Sequence, residues 1–259
     1  MSRVALLQVD VSDNESVEDR VARVLRMVRL ETAGCDLAVL PELWHVGAFN
    51  NEALLPNAQP RNGELVAAMC EAARDAGVWL HGGSFVEAHD GKVSNTSLLI
   101  DPSGEVQSFY RKIHLFGFDQ GEAIMLDRGH DTVVVDDTPV GRAGLATCYD
   151  LRFPELFREL CRQGAQSFVL CSGWPTPRIN HWRVLIQARA IENQAWFIAC
   201  NEVGRNGDYV LGGNSMIVSP TGEIIAEAGS DEQVLIADVD VKAVEAWRRT
   251  FPILRDRVM

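Results

Sequence analysis

Ala143-Gly144-Leu145-Ala146-Thr147-Cys148-Tyr149-Asp150-Leu151-Arg152-Phe153-Pro154-Glu155-Leu156 reads as a buried strand, a polar turn and the start of a helix. Ala143 to Thr147 is an apolar run of strand length. Pro154 stands where a first helical turn tolerates proline, and the helical pattern continues to Arg162. Ser167 to Cys171 is a second apolar strand, so this part of the chain is a strand–helix–strand unit. Cys148 sits at the C-terminal end of its strand, where α/β sheets place their sites. A thiolate there is a competent nucleophile toward an amide carbonyl, with a thioester as the product. Taken alone, Cys148 reads more readily as a buried structural thiol.

Outward from this unit the alternation continues. Val4 to Val9 is a strand, and Ser12 with Glu15 predicts a capping box for a helix carrying Val17, Val21, Val24, Leu25 and Val28 on one face. Leu37 to Leu40 is a short strand stopped by Pro41, and Leu65 to Ala76 a helix closed by Gly77. Val78 to Glu87 and Val93 to Ile100 form a hairpin through His89-Asp90-Gly91, followed by a strand Glu105 to Arg111. Thr132 to Val135 is a strand, and His181 to Gln194 a helix leading into the strand Trp196 to Cys200. Three more strands are predicted at Gly213 to Val218, Glu223 to Glu227 and Gln233 to Val239. Gly82-Gly83 and Gly212-Gly213 mark bulges or close backbone approaches. Helices mixed with hairpins predict an α/β layer fold with mixed sheets. No linker or composition shift interrupts residues 1–259, which read as a single domain. Ser97 to Glu105 echoes Ser215 to Glu223, which reads either as two similar halves or as a chance likeness of two turns.

Composition excludes several classes. Hydrophobic residues are 47% and charged residues 23%, a globular profile. Lys and Arg number 24 against 36 Asp and Glu, a net charge of −12, which disfavours nucleic acid and anionic membrane as partners. The opening Met1 to Asp10 has no apolar run long enough for a secretory leader, and no stretch of about 18 apolar residues occurs. The six cysteines show no CxxC pair and sit in apolar segments. A reducing, cytoplasmic setting follows as the expectation. The histidines at 45, 81, 89, 114, 130 and 181 lack metal-ligand spacing, so neither a metal nor a cofactor is expected.

Two further residues carry chemistry. Glu42 follows Pro41 at a strand end; a desolvated carboxyl has a raised pKa and takes a proton from a thiol, though a loop carboxylate reads the same way. Lys112, within Tyr110-Arg111-Lys112-Ile113-His114-Leu115-Phe116, is a lysine in an apolar segment, either an oxyanion donor or a snorkelling surface side chain.

Together these stretches resemble the nitrilase superfamily of carbon–nitrogen hydrolases. Leu40-Pro41-Glu42, Tyr110 to Phe116 and Thr147 to Leu156 resemble its glutamate, lysine and cysteine motifs, in the family's order, and His181-Trp182 through Gln194 looks like the family too. The likeness spans about residues 3 to 240. It implies a four-layer α-β-β-α sandwich with two mixed sheets. It also implies Cys148 as nucleophile, Glu42 as acid and base, and Lys112 with the backbone N–H of Tyr149 at the oxyanion. Glu122, within Gln120-Gly121-Glu122-Ala123, matches the position of a second glutamate, with a surface carboxylate as the alternative. Trp174, in Ser172-Gly173-Trp174-Pro175, lines the pocket by the same resemblance or simply packs. Arg152 is expected in a structural ion pair rather than on a substrate carboxylate. The implied activity is a cysteine-dependent amidase acting on a small-molecule amide. An ω-amidase of the short bacterial branch, cleaving 2-oxoglutaramate or a similar monoamide, is the leading reading. Deaminated glutathione, N-carbamoyl compounds and aliphatic amides are the other substrates. A non-catalytic interaction protein on the same scaffold is the alternative of another class. Helices Pro154 to Arg162 and His181 to Gln194 are expected to form a homodimer. The loops Trp44 to Asn50, Phe116 to Met125 and Trp174 to Asn180 are expected to shape the pocket.

Overall fold

The computed structural model describes residues 1–258. Its strands are β1 (Ser2–Gln8), β2 (Leu37–Val39), β3 (Trp79–His89), β4 (Lys92–Ile100), β5 (Val106–Arg111), β6 (Val134–Thr138), β7 (Gly141–Thr147), β8 (Ser167–Ser172), β9 (Trp196–Asn201), β10 (Val203–Asn206), β11 (Tyr209–Gly212), β12 (Met216–Val218), β13 (Ile224–Glu227) and β14 (Gln233–Val239). The longer helices are α1 (Val17–Glu31), α2 (Glu64–Ala76), α3 (Pro154–Arg162), α4 (Ile179–Asn193) and α5 (Lys242–Thr250). Two six-stranded sheets form, in the orders β14-β1-β2-β3-β4-β5 and β13-β12-β9-β8-β7-β6, with β10 and β11 as a separate hairpin.

The sheets share one strand order and pattern of directions, though the edge strand beside the first parallel strand is β14, late in the chain, in one and β6, joined by a hairpin, in the other. In the first, β1, β2 and β3 are parallel, and β4, β5 and β14 are antiparallel to their neighbours. In the second, β7, β8 and β9 are parallel, and β12, β13 and β6 take the antiparallel places. Helices α1 and α2 make the crossovers in one half, α3 and α4 in the other. The echo between Ser97–Glu105 and Ser215–Glu223 is therefore the β4–β5 turn and its counterpart between β12 and β13.

Side-chain alternation builds the layers. Val4, Leu6, Leu37 and Val39 of the first sheet meet Leu145, Val169, Ile198 and Ile217 of the second in a shared central core. Their neighbours Ala5, Leu7, Ala38 and Leu40 face the other way, onto Val24, Leu25 and Val28 of α1 and Met69, Ala72 and Ala73 of α2. Ala146, Phe168, Leu170, Phe197 and Ala199 turn outward onto Phe157 and Leu160 of α3 and Trp182, Ile186 and Ala190 of α4. The result is the expected four-layer sandwich. Strands covered on both faces read as continuous apolar runs, which is why sequence located them.

Some expectations need correction. The cap of α1 is Ser16, whose hydroxyl accepts from the Asp19 amide at 3.1 Å, not Ser12 with Glu15. Glu15 instead pairs with Arg23 at 2.8 Å, and Ser12 bonds Asp10. The strand expected from Gly213 starts at Met216, because Gly213 and Asn214 have φ of 57° and 55°. The hairpin β10–β11 and helix α5 were not foreseen. The Gly82-Gly83 bulge is present as a register break between His81 and Ser84. A Cβ on Gly83 would collide with the Pro41 carbonyl, so glycine lets the chain bearing Glu42 lie close.

Candidate active site

Three parallel-strand ends converge. Glu42 leaves the end of β2, Cys148 that of β7, and Gly173 that of β8. The Glu42 loop is pinned by Leu43 N–H donating to Ser84 Oγ (3.0 Å) and Trp44 Nε1–H donating to the Gly82 carbonyl (2.9 Å). Leu43 itself has φ 44°. Cys148 turns sharply at φ 42°, between extended Thr147 and a short helix over Cys148–Arg152. Both are left-handed non-glycine residues, a strain held by the surrounding structure and often found at sites. The turn lifts the thiol off the strand end, as a nucleophile elbow does. The Tyr149 amide lies in the first turn of that helix, where N–H groups lack an intrahelical acceptor.

Lys112 extends the β4–β5 ladder by one bond, its N–H donating to the Asn95 carbonyl at 2.9 Å. Its side chain is 1% exposed, and Nζ donates to Glu42 Oε1 (2.7 Å) and Glu122 Oε2 (2.6 Å). Asn95 Nδ2 bridges the same carboxylates, at 2.9 Å to Glu42 and 2.6 Å to Glu122. Gly173 N–H donates to the second oxygen of Glu42 at 2.9 Å, and Phe116 N–H to Glu122 Oε2 at 2.9 Å. Every charge in this buried net is thus met by opposite charge or a donor, which makes its burial tolerable.

The electrostatics follow. Burial works against the Lys112 ammonium, but Glu122 and Glu42 outweigh it and hold its pKa well above the usual value. Glu122 is drawn upward by burial and by Glu42, with Lys112 opposing. Burial and the charge of Glu42 push the Cys148 thiol well up, with Lys112 pulling it back. This environment favours the protonated thiol, beside the Glu42 carboxylate.

Asp150 ties the cysteine and lysine stretches together. It accepts from Tyr110 Oη (2.6 Å), Thr147 N–H (2.9 Å) and His114 N–H (3.1 Å), and lies 2.7 Å from His114 Nδ1. Behind Gly173 lies another carboxyl, Glu202, fully buried with no hydrogen-bond partner on either oxygen. Burial first, then Glu42, raises its pKa well above the usual carboxyl range.

A cavity of about 440 Å³ opens on this net. Glu42, Lys112, Glu122 and Cys148 all line it, Cys148 being the one cysteine on the wall. The expected loops contribute Ala48, Phe49, Phe116 to Phe118 and Arg178, and the unforeseen β10–β11 turn adds Asp208 and Tyr209. Phe49 stacks on Tyr209 at 4.2 Å between ring centroids and meets Phe116 edge-on at 5.9 Å. Trp174 lies apart from the main cavity, on a narrow annex that also reaches Cys148. Its Nε1–H donates to the Arg178 carbonyl at 2.7 Å. Arg152 is not ion-paired as expected: its guanidinium lies 4.5 Å over the Trp174 ring, with Nη1 3.4 Å from His181 Nδ1.

Sequence reasoning missed Asn95 and Asp150 as members of the net. The available signal for Asn95 was Ser94-Asn95-Thr96-Ser97, four polar residues inside a strand between apolar partners. Among the described residues no cluster of three or more His, Cys, Asp and Glu side chains forms a metal site. No helix there is long and apolar enough to cross a membrane. All six cysteines are free thiols.

Comparison with known proteins adds to the geometry. The model of the carbon–nitrogen hydrolase family matches residues 3–249. The chain is 40% identical over 261 residues to a 2-oxoglutaramate amidase of Paenarthrobacter nicotinovorans, covering 98% of this chain and 88% of that one. It is 33% identical over 254 residues to a 2-oxoglutaramate amidase of Bacillus subtilis, covering 98% and 96%. Among solved structures, Saccharomyces cerevisiae Nit3, of branch 10 of the nitrilase superfamily, superposes with a TM-score of 0.89 at 27% identity, covering 100% of this chain and 97% of that one.

Proposed function

The chain belongs to the carbon–nitrogen hydrolase family of nitrilase-like amidases, and from that premise we propose an ω-amidase that hydrolyses 2-oxoglutaramate or a close monoamide to carboxylate and ammonia. The observation that carries the chemistry is one buried ammonium, Lys112, bonded to Glu42 and Glu122 on the cavity wall that holds Cys148. The substrate rests on similarity to two amidases named for 2-oxoglutaramate.

The residues divide the work as follows. Glu42 takes the thiol proton as Cys148 Sγ bonds to the amide carbon and the carbonyl electrons move to oxygen. Lys112 Nζ and the Tyr149 N–H hold the oxyanion. On collapse the carbon–nitrogen bond breaks, and Glu42 returns the proton to nitrogen, releasing ammonia. Water then gives a proton to Glu42 and adds to the thioester; the carbon–sulfur bond breaks, and the proton goes back to sulfur. Glu122 and Asn95 hold Lys112 and Glu42 in register throughout. Trp174 anchors the Arg178 turn by its indole bond and borders the annex.

The whole of residues 1–259 acts as one domain, in support of which the central core is drawn from both sheets. Two copies pair through α3 and α4, where Val184 is 64% and Ile191 48% exposed while Leu156, Phe157 and Leu160 are buried against the sheet. Size-exclusion chromatography with light scattering giving a monomer at micromolar concentration would overturn that pairing. The free thiols fit a reducing cytoplasm.

The test is ammonia release from 2-oxoglutaramate by wild type, with Cys148→Ala as blank. Release confined to wild type supports the proposal. No release removes this substrate and sends the search to deaminated glutathione, N-carbamoyl compounds and aliphatic amides.

A further inference from the structure

We infer that Arg178 selects the substrate by binding a carboxylate at the end remote from the scissile amide. This rests on the amidase reading above and adds to it the residue that reads the far end of the substrate.

Arg178 is the one arginine on the wall of the main cavity, and it also lines the annex, the second opening that reaches Cys148. The positive charge of Lys112 is committed to Glu42 and Glu122. Arg178 is uncommitted: it ion-pairs with no carboxylate among the described residues. Arg23, Arg29, Arg111 and Arg189 find acidic partners, but none of them lines the cavity; Arg178 brings an unpaired guanidinium to its wall. Its guanidinium lies 5.6 Å over the Phe116 ring, on the wall both openings share.

The backbone fixes this position. The Trp174 indole bonds the Arg178 carbonyl, and Arg178 is the cap residue of α4. The first turn of that helix has no acidic residue and no side-chain cap, so its positive end is unneutralised. Arg152 lines the annex as well, without a carboxylate partner, and burial first, then Arg178, disfavours its charge. A guanidinium fork beside an aromatic face is suited to a planar carboxylate, and a neutral alkyl amide leaves it unused. Besides Glu42 and Glu122, which Lys112 holds, the wall carries one further carboxylate, Asp208, exposed on the β10–β11 turn and in no ion pair among the described residues. Its removal should favour anionic substrates.

The experiment compares wild type, Arg178→Gln, Arg178→Lys and Asp208→Asn on 2-oxoglutaramate and on pentanamide, a neutral amide of equal chain length. We expect Arg178→Gln to lower kcat/KM for 2-oxoglutaramate by about 10- to 100-fold, mainly through KM, the scale of a lost charged hydrogen bond. Pentanamide should change by less than about twofold, Arg178→Lys should recover part of the loss, and Asp208→Asn should lower KM for 2-oxoglutaramate only. Equal losses on both amides, or none, would overturn the assignment. A binding arm separates this from the amidase reading: calorimetric titration of 2-oxoglutaramate into Cys148→Ala, with and without Arg178→Gln. A Kd raised about 10- to 100-fold by Arg178→Gln supports the site whatever the turnover, and an unchanged Kd overturns it even in an active amidase.

Discussion

The two halves of the molecule share strand order, strand direction and helix placement, yet they bring different chemistry to their strand ends. The first half supplies Glu42 after β2, Asn95 from β4 and Lys112 after β5. The second supplies Cys148 after β7 and the Gly173 amide after β8. Each half also buries a carboxylate near the centre. Glu42 receives three donors, from Lys112, Asn95 and Gly173. Glu202, just past β9, receives none. Duplicated topology thus provides two frames of the same shape. On the proposed mechanism, acid–base function resides where a carboxylate is wired to an ammonium and faces a cavity, and burial alone does not create it.

The largest effect separates the thiol from its scaffold. Cys148→Ala should fold with unchanged melting temperature and lose about 10⁴-fold or more in kcat, as expected when a nucleophile is removed. Activity within tenfold of wild type would mean the second half contributes no nucleophile. Next come the first-half groups: Glu42→Gln and Lys112→Ala should each lose about 10²- to 10³-fold in kcat/KM by steady-state ammonia assay. Asn95→Ala, which cuts the bridge but leaves the charges, should lose about tenfold.

The halves should also differ toward acid. His45 and His81, both in the first half, are fully buried without partners, and burial drags their pKa values down to about 3 and about 4. Folded, they stay neutral; unfolded, they take protons below their ordinary 6.5. Their contribution is therefore complete above pH 6.5 and is lost as pH falls toward 4 and then 3. Melting temperature followed from pH 7 to pH 4 should fall steadily, and a flat profile would contradict their burial as neutral rings. The smallest effect is Glu202→Gln. With no partner to lose, it should keep kcat within about twofold and raise the melting temperature by about 2–4 °C, the scale of roughly 1 kcal/mol in a chain of this size. A loss matching that of Glu42→Gln would break the contrast between the two carboxylates.

The residues differ in how far sequence revealed them. The central strands were legible because both faces are apolar; Glu42 and Cys148 follow such runs, Lys112 follows the half-exposed β5, and the roles of all three came from the resemblance. Glu122 was placed only by resemblance, since nothing local distinguishes it from a loop acid; the single turn Glu122–Met125 turns it inward. Asn95 was hidden because its role is set by two carboxylates 53 and 27 residues away. Asp208 and Tyr209 come from a hairpin whose short polar strands lack the pattern of the buried ones. The cap at Ser16 was misplaced because Ser12 and Glu15 match the same spacing, whereas Arg20 and Arg23 of α1 itself draw Glu15 away from the cap.

The most direct test of a second-half thiol worked by first-half acid–base groups is partitioning of the covalent intermediate. Wild type turns over the monoamide of glutaric acid, which has no 2-oxo group to condense with hydroxylamine, and its N-methyl amide, separately, at one fixed concentration of hydroxylamine, with Cys148→Ala as blank. The ratio of hydroxamate to carboxylate is then measured for each. If both amides pass through one Cys148 thioester, the leaving amine is gone before the acyl group chooses its acceptor. We predict the same ratio for the two substrates and neither product from the blank. A ratio that follows the leaving amine, or hydroxamate formed by Cys148→Ala, would contradict that shared intermediate.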